Sequence, residues 1–279
     1  SALACVASLG RAGHEVIIFA GAAPSPAAAS TFVTRIVTPV AAVNTTEARA
    51  RSLIAFIRSE AIDVVIPQSD YDALVVATAR ELAPEIAALV APAVASVAVA
   101  RDKIRTLAFA RETGLATPES VVVADKRAIA EEGASLGRPL VVKAPVSTAS
   151  SGTFVVTRPN ELAGILPRLP SGEILLQRFV RGDRVGATGF AVDGELVGWF
   201  GFKVLSDGGA GGTPVYALSD PDPNLGVMLS AICRGLNWSG GIDIDAMRGA
   251  DGTVFLLEIN PRFSGTLVFA DKVGLDLVS

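Results

Sequence analysis

Histidine is nearly absent from this chain: His14 is the only one among 279 residues. Any mechanism that needs a histidine base must use that residue, far upstream of the acidic motifs, and no Ser-His-Asp assembly is legible. Cysteine is equally scarce. Cys5 and Cys233 both lie in apolar surroundings, which argues against a disulfide scaffold or a zinc site and fits a reduced, cytoplasmic compartment. There is no G-x-x-x-x-G-K-S/T, so no P-loop. There is no G-x-G-x-x-G after a strand, and "IIFAGAA" ends without the acidic residue that holds an adenosine ribose, which disfavours a dinucleotide enzyme. The longest uncharged apolar run, "IAALVAPAVASVAVA" at 86–100, contains a proline and falls short of a membrane span. No signal peptide is visible. Excess charge is lacking too: 24 basic against 28 acidic side chains leave a net charge of −4. No basic stripe exists for a nucleic acid to follow.

Hydrophobic residues make up half of the chain, enough for a sizeable core in one large domain or in two to three smaller ones. "SALACVASLGRAG" reads as a helix closed near Gly13, and "HEVIIFA" as a buried strand. The stretch 46–60 reads as a helix, "AIDVVIP" as a second strand, and 70–83 as a third helix. Strands alternating with helices predict a parallel sheet, hence a Rossmann-like α/β unit over 1–100. A strand feeding the first helix is expected ahead of Ser1, so the sequence reads as trimmed at its start. From about 101 the pattern becomes α+β. A helix follows at "DKIRTLAFARETG", then "SVVV", a helix from Asp125 to Leu136, "PLVVKAP", "TFVVT", a helix capped by Asn160 and the strand "EILLQRFV". Asp193-Gly194 marks a hairpin turn, a helix follows at "NLGVMLSAICRGLNW", and "GGIDIDAM" pairs with "TVFLLEIN" around "RGADG". A last helix is expected from a Ser264 cap. "DGGAGGT" at 207–213 reads as a mobile loop.

The chemistry concentrates in the last hairpin. Side chains alternate along a strand, so Glu258 and Asn260 share a face, as do Asp243 and Asp245 on the partner strand. The short turn lets Asp245 lie opposite or diagonal to Glu258. Carboxylates at that range repel unless a cation sits between them. Mg²⁺ takes such carboxylate and amide oxygens and completes its shell with phosphates and water. Two such ions can share a carboxylate. A solvated strand end is the bland alternative, disfavoured by Leu256, Leu257 and Ile259 around it. Lys143, inside the strand of "LVVKAP", must snorkel or meet an anion. Lys103 lies in the first turn of a helix, where a cation fits only if it helps the helix end to hold an anion. The hydroxyl-rich loop "PVSTASSGT" at 145–153 is either a phosphate cradle or an ordinary hairpin loop. Arg262, after Pro261, is placed to face a carboxylate or a transferring phosphate.

In this order the pieces resemble the ATP-grasp superfamily, and its carboxylate–amine ligase branch in particular. The elements concerned are the front α/β unit, the "RDK" helix, "VVKA" before the small-residue loop, "LLQRFV-RGD", the paired acidic strands and "EINPRFSG", together nearly the whole chain. The resemblance implies a pre-ATP-grasp domain at 1–100 and ATP-grasp subdomains at 101–176 and 177–279, with ATP between the two subdomains. It implies phosphate contacts from Lys103, Lys143, Ser151 and Gly152, and an adenine hinge of Gln177, Arg178, Phe179 and Val180. It implies magnesium, with manganese as a possible substitute, on Asp245, Glu258 and Asn260, and Arg262 at an acyl-phosphate centre. Lys203 is held as a further residue pointing at phosphates or substrate. Two positions depart from the family: Arg178 stands where the hinge usually has Glu, and Arg184 where the ribose carboxylate is often found, with Asp183 offered in its place. The implied activity joins a small-molecule carboxylate to an amine with release of ADP and phosphate, beneath lids at 147–152 and 206–213. Neither nucleic acid nor membrane is an expected partner, and a homo-oligomer is left open. The competing readings are a bicarbonate-dependent carboxylase or carbamoyl-phosphate-type enzyme and a non-catalytic ATP-binding module.

Overall fold

Amphipathic helices build the first part of the chain. The computed structural model describes residues 2–20, 25–39, 45–147, 152–207 and 214–279. Helix α1 (Ala2–Arg11) leads through Gly13, whose φ of 85° favours glycine, into β1 (Val16–Phe19). This strand pairs in parallel with β2 (Val33–Val37). In α2 (Thr46–Glu60), Thr45 accepts the Ala48 N–H as N-cap, and Ala50, Leu53, Ile54 and Ile57 are buried at helical spacing. In α3 (Asp70–Leu82), Ser69 caps the Asp72 N–H, and Ala73, Val76 and Ala77 face the same core. Val97 of α4 (Val94–Arg101) closes it.

Helix α5 (Lys103–Glu112), capped by Asp102, then leads to a four-stranded antiparallel sheet. It comprises β3 (Ser120–Val123), β4 (Leu140–Lys143), β5 (Thr153–Val156) and β6 (Ile174–Arg178), in the order β3-β6-β4-β5, with short helices α6 (Ile129–Glu132) and α7 (Leu162–Ile165) between strands. Residues 179–181 link it to a second antiparallel sheet of β7 (Gly182–Val192), β8 (Glu195–Asp207), β9 (Pro214–Ser219), β10 (Gly240–Gly249) and β11 (Val254–Asn260), ordered β11-β10-β7-β8-β9. Helix α8 (Pro223–Gly235) joins β9 to β10, and α9 (Leu267–Lys272) follows β11. The β7–β8 turn has positive φ at both Asp193 (46°) and Gly194 (83°), the geometry an Asp-Gly hairpin demands.

One face of the five-stranded sheet is a core. Val185, Ala187, Ile242, Ile244, Leu256 and Ile259 pack against Leu229 and Ile232 of α8 and Phe109 of α5. The other face holds Phe200 and Phe202 of β8, packed with Ala270 of α9, and the polar side chains of β10 and β11, Asp243, Asp245, Glu258 and Asn260. A bulge makes this possible on β11: Asp245 pairs with Glu258 and Ala246 with Leu256, so Leu257 is the extra residue. Strict alternation would put Leu256 on the same face as Glu258. The bulge sends Leu256 and Ile259 to the core and leaves Glu258 and Asn260 on the polar face.

Several sequence expectations are corrected. "AIDVVIP" joins no sheet among the described residues; beyond the Ala61 and Ile62 N–H bonds to Ile57 that close α2, it bonds the Ala88 carbonyl through the Val65 N–H, and β1 pairs instead with 33–37. The helix expected from Asp125 to Leu136 is a 3₁₀ turn at Lys126–Ala128 followed by the single turn α6. Asn160 is not a cap: the turn starts at Arg158, and the Glu161 carboxylate accepts the Thr157 and Arg158 N–H groups. Nor does Ser264 cap α9, which begins after Thr266; Ser264 accepts the Thr266 N–H and points its hydroxyl at Asp243. The 207–213 stretch lies outside the described residues apart from Asp207, as do 148–151 of the small-residue loop.

Candidate active site

Register decides the geometry of the acidic cluster. Asp245 faces Glu258 directly across the β10–β11 pair, and Asp243 faces Asn260. The Asn260 Nδ2 donates to Asp243 Oδ1 at 3.2 Å, so the amide oxygen is not the atom used in that bond. Asp243 is only 2% exposed; its Oδ2 accepts from Ser264 Oγ at 2.8 Å and from Thr266 Oγ1 at 3.0 Å. Asp243 is thus fully engaged beneath the cluster, while Asp245, Glu258 and Asn260 form its outward donor set.

Two lysines converge on these carboxylates from different elements. Lys103, at the first turn of α5, is 6% exposed, and its Nζ lies 3.2 Å from Glu258 Oε2 and 3.3 Å from Ser147 Oγ. Its backbone N–H donates to the Pro145 carbonyl, which ties the start of α5 to the β4–β5 loop. Lys143 closes β4 and is 5% exposed. Burial pushes its pKa down to about 8, with Glu258 opposing the fall and Lys103 adding to it. Two like charges this close to one carboxylate make a site for a polyanion.

The acids are shifted apart. Burial, and then repulsion from Asp245, pushes Asp243 up to about 7. Burial, and then repulsion from Glu258, pushes Asp245 up to about 6, against the pull of Arg184. Burial also works against the Glu258 carboxylate, but Lys103 and Lys143 outweigh it and hold Glu258 below its usual value. The two aspartates therefore keep protons in the folded chain that they release near 3.8 when unfolded. The folded state binds more protons across this window, so the ligand-free chain should lose stability as pH rises from about 4 to about 7. Asp125, Glu161 and Asp276, held near 2, act at lower pH and in the opposite sense. Thermal melts between pH 4 and 7 check this, and Asp245→Asn should flatten the slope.

The donor set fits a magnesium-nucleotide. Among the described residues no three His, Cys, Asp or Glu side chains are placed to hold a metal by themselves. Two carboxylates, one amide and adjacent cations are instead the arrangement of an ion that shares its shell with phosphates. A dication at Asp245 and Glu258 would also relieve the repulsion that drives the Asp245 shift.

The remaining expected residues fall in three places. Gly152 sits where any side chain would strike Ala144 and Ser147, and its carbonyl accepts the Ala144 N–H; Ser151 lies outside the described residues. Gln177 is buried on β6 with its amide on Ser120, while Arg178 turns outward to Glu119 at 2.6 Å; half-buried Phe179 and Val180 begin the link between the sheets. Lys203 pairs with Asp183 at 2.7 Å, and neither joins the cluster as expected: Lys203 stands opposite Val185, whose side chain enters the α8 core, so alternation puts Lys203 and Asp183 on the sheet face away from Asp245 and Glu258. Arg262 is near enough to Asp243 to favour its ionised form, and its Nε donates to Asp70 at 2.8 Å.

Comparison with known proteins agrees with this architecture. No protein-family model matches the chain. The biotin carboxylase domain of 2-oxoglutarate carboxylase from Hydrogenobacter thermophilus, solved with MgADP, ADP and bicarbonate, superposes over 99% of this chain and 65% of its own, with TM-score 0.72 at 13% identity. An L-amino acid ligase from Bacillus licheniformis covers 98% of this chain and 68% of its own, with TM-score 0.71 at 18% identity. The chain has the ATP-grasp fold. In sequence, the formate-dependent phosphoribosylglycinamide formyltransferase of Prochlorococcus marinus (strain MIT 9313) is 36% identical over 114 residues, 40% of this chain. The match spans only 29% of that relative's length.

Within the ATP-grasp fold, the two departures seen in the sequence have structural partners. Arg178 is held by Glu119, and Arg184 bonds Asp245 at 3.1 Å and Asp207 at 3.5 Å. Sequence reasoning missed Asp70, Thr266 and the partners of Ser147, Asp207 and Arg184, because each acts through a residue far away in the chain. It also passed over Arg101, whose buried Nε has no hydrogen-bond partner and which lies two residues before Lys103.

Proposed function

We propose that the chain is an ATP-dependent ligase that joins a carboxylate to an amine through an acyl phosphate. The observation that carries this reading is the meeting of Lys103, Lys143, Asp245, Glu258 and Asn260, from α5, β4, β10 and β11, in one largely buried cluster. In this reading residues 1–100, 101–176 and 177–279 are the three units, and nucleotide lies between the second and third. Lys103 and Lys143 hold phosphate oxygens, together with the loop that ends at Gly152. Asp245, Glu258 and Asn260 hold the metal. Bound magnesium neutralises charge on the transferring phosphoryl group. The backbone of 177–180 takes the adenine, since the side chains of Gln177 and Arg178 are engaged elsewhere.

The reaction needs no histidine. A substrate carboxylate oxygen attacks the γ-phosphorus and ADP leaves. The amine nitrogen then attacks the acyl carbon, phosphate leaves, and the amine gives up its proton. Arg262, oriented by Asp70, stabilises charge at that centre. A second reading, with bicarbonate as the carboxylate, is favoured by the superposition on a biotin carboxylase domain.

ADP release over pairs of carboxylates and amines tests both. The sequence relative makes formate the first carboxylate to try. Release that requires both substrates supports the ligase. Release with bicarbonate alone supports the second reading, and tight ATP binding with no turnover on any pair contradicts both.

A further inference from the structure

We infer that this chain takes a single divalent cation with its nucleotide, on the Asp245, Glu258 and Asn260 set, and that the Arg184 guanidinium fills the place on the other side of Asp245 where a second cation would sit. The inference rests on the nucleotide reading above and goes beyond it by assigning a role to Arg184, which stands where a ribose carboxylate is expected.

Register brings Arg184 there. On β7, Gly186 lies opposite Asp245, and Arg184 lies opposite Met247, two residues further along β10. Arg184 is therefore a diagonal neighbour of Asp245 on the polar face, within reach of a long side chain. Its Nη2 donates to Asp245 Oδ1 at 3.1 Å. Its Nη1 donates to Asp207 Oδ2 at 3.5 Å, which anchors the guanidinium from the far end of β8. All three side chains are mostly buried, with exposures of 21%, 16% and 28% for Arg184, Asp245 and Asp207. A fixed planar cation held on two sides is not displaced as readily as a surface lysine.

The count of donors agrees. Asp243 has one oxygen on Asn260 and the other on Ser264 and Thr266, so it offers nothing to a metal. Asp245 shares one oxygen with Arg184. The other Asp245 oxygen, Glu258 and the amide oxygen of Asn260 remain, with phosphate oxygens and water to complete one octahedral shell. Two shells would need to share this set while Arg184 occupied part of it. Charge points the same way: Arg184 compensates Asp245, Lys103 compensates Glu258, and one dication answers the added phosphates.

The test counts bound Mn²⁺ by the electron paramagnetic resonance of the free ion, with saturating non-hydrolysable ATP analogue. Nucleotide binding is measured in parallel by calorimetry. The expected result is one Mn²⁺ per chain for the wild type and two for Arg184→Gln. Two Mn²⁺ on the wild type overturns the inference while leaving the nucleotide site in place, and this holds whether or not the variant folds. A folded Arg184→Gln that still binds only one also overturns it. If the wild type binds no nucleotide, the functional reading fails, and the inference with it.

Discussion

Glu258→Gln should cut ADP release by about a thousandfold, the scale seen when a preorganised group facing developing charge is removed. The substitution keeps the shape of the side chain and removes one charge. Glu258 is the member of the cluster held ionised, with Lys103 at 3.2 Å and Asp245 directly opposite. As the amide it would still fill its space but would no longer bridge a cation to the two lysines. Stability should change little, because the loss of attraction to Lys103 is set against relief of repulsion with Asp245. Circular dichroism and melting temperature separate this result from unfolding. Normal turnover by a folded Glu258→Gln variant would remove the metal assignment.

Lys143→Met should weaken nucleotide binding by about a hundredfold, or about 3 kcal/mol, as expected when one partner of a buried charge contact is truncated. The ligand-free protein should tolerate the change, since Lys143 sits 5% exposed in β4 with its charge disfavoured by burial. Replacing such a group by an apolar one of similar length is often neutral or stabilising. The pH dependence supplies a second readout. Without ligand, Lys143 is protonated below about 8 and neutral above it. Nucleotide affinity of the wild type should therefore fall as pH rises past 8, and Lys143→Met should lose that dependence. Calorimetric titrations at pH 7 and pH 9 check both statements.

The hairpin chemistry was legible because it is local. Ten to twenty residues of alternation, an Asp-Gly signal and a glutamate two positions before an asparagine fix which side chains share a face. Lys103 and Lys143 stood out because each is a cation in a position that disfavours one. What escaped depends on distant partners or on packing. The bulge at Leu257 shows only in the pairing with β10, yet it decides which leucine enters the core. Arg184 and Asp245 are 61 residues apart, and Arg262 and Asp70 are 192 apart. No local pattern announces such pairs. Helix α4 was hidden behind Pro92, which precedes its Ala93 cap, where a proline is tolerated. "TFVTRIV" carries the β-branched residues of a strand and is one, whereas "DVVIP" has the composition without a pairing partner among the described residues.

The most direct test is a crystal structure with magnesium and a non-hydrolysable ATP analogue. The expected result places the metal about 2.1 Å from oxygens of Glu258 and Asn260, with phosphate oxygens on Lys103 and Lys143 and the adenine against 177–180. A nucleotide bound elsewhere, such as the groove lined by Leu115, Met228 and Asp251, with the Glu258–Lys103 cluster left unengaged, would contradict it.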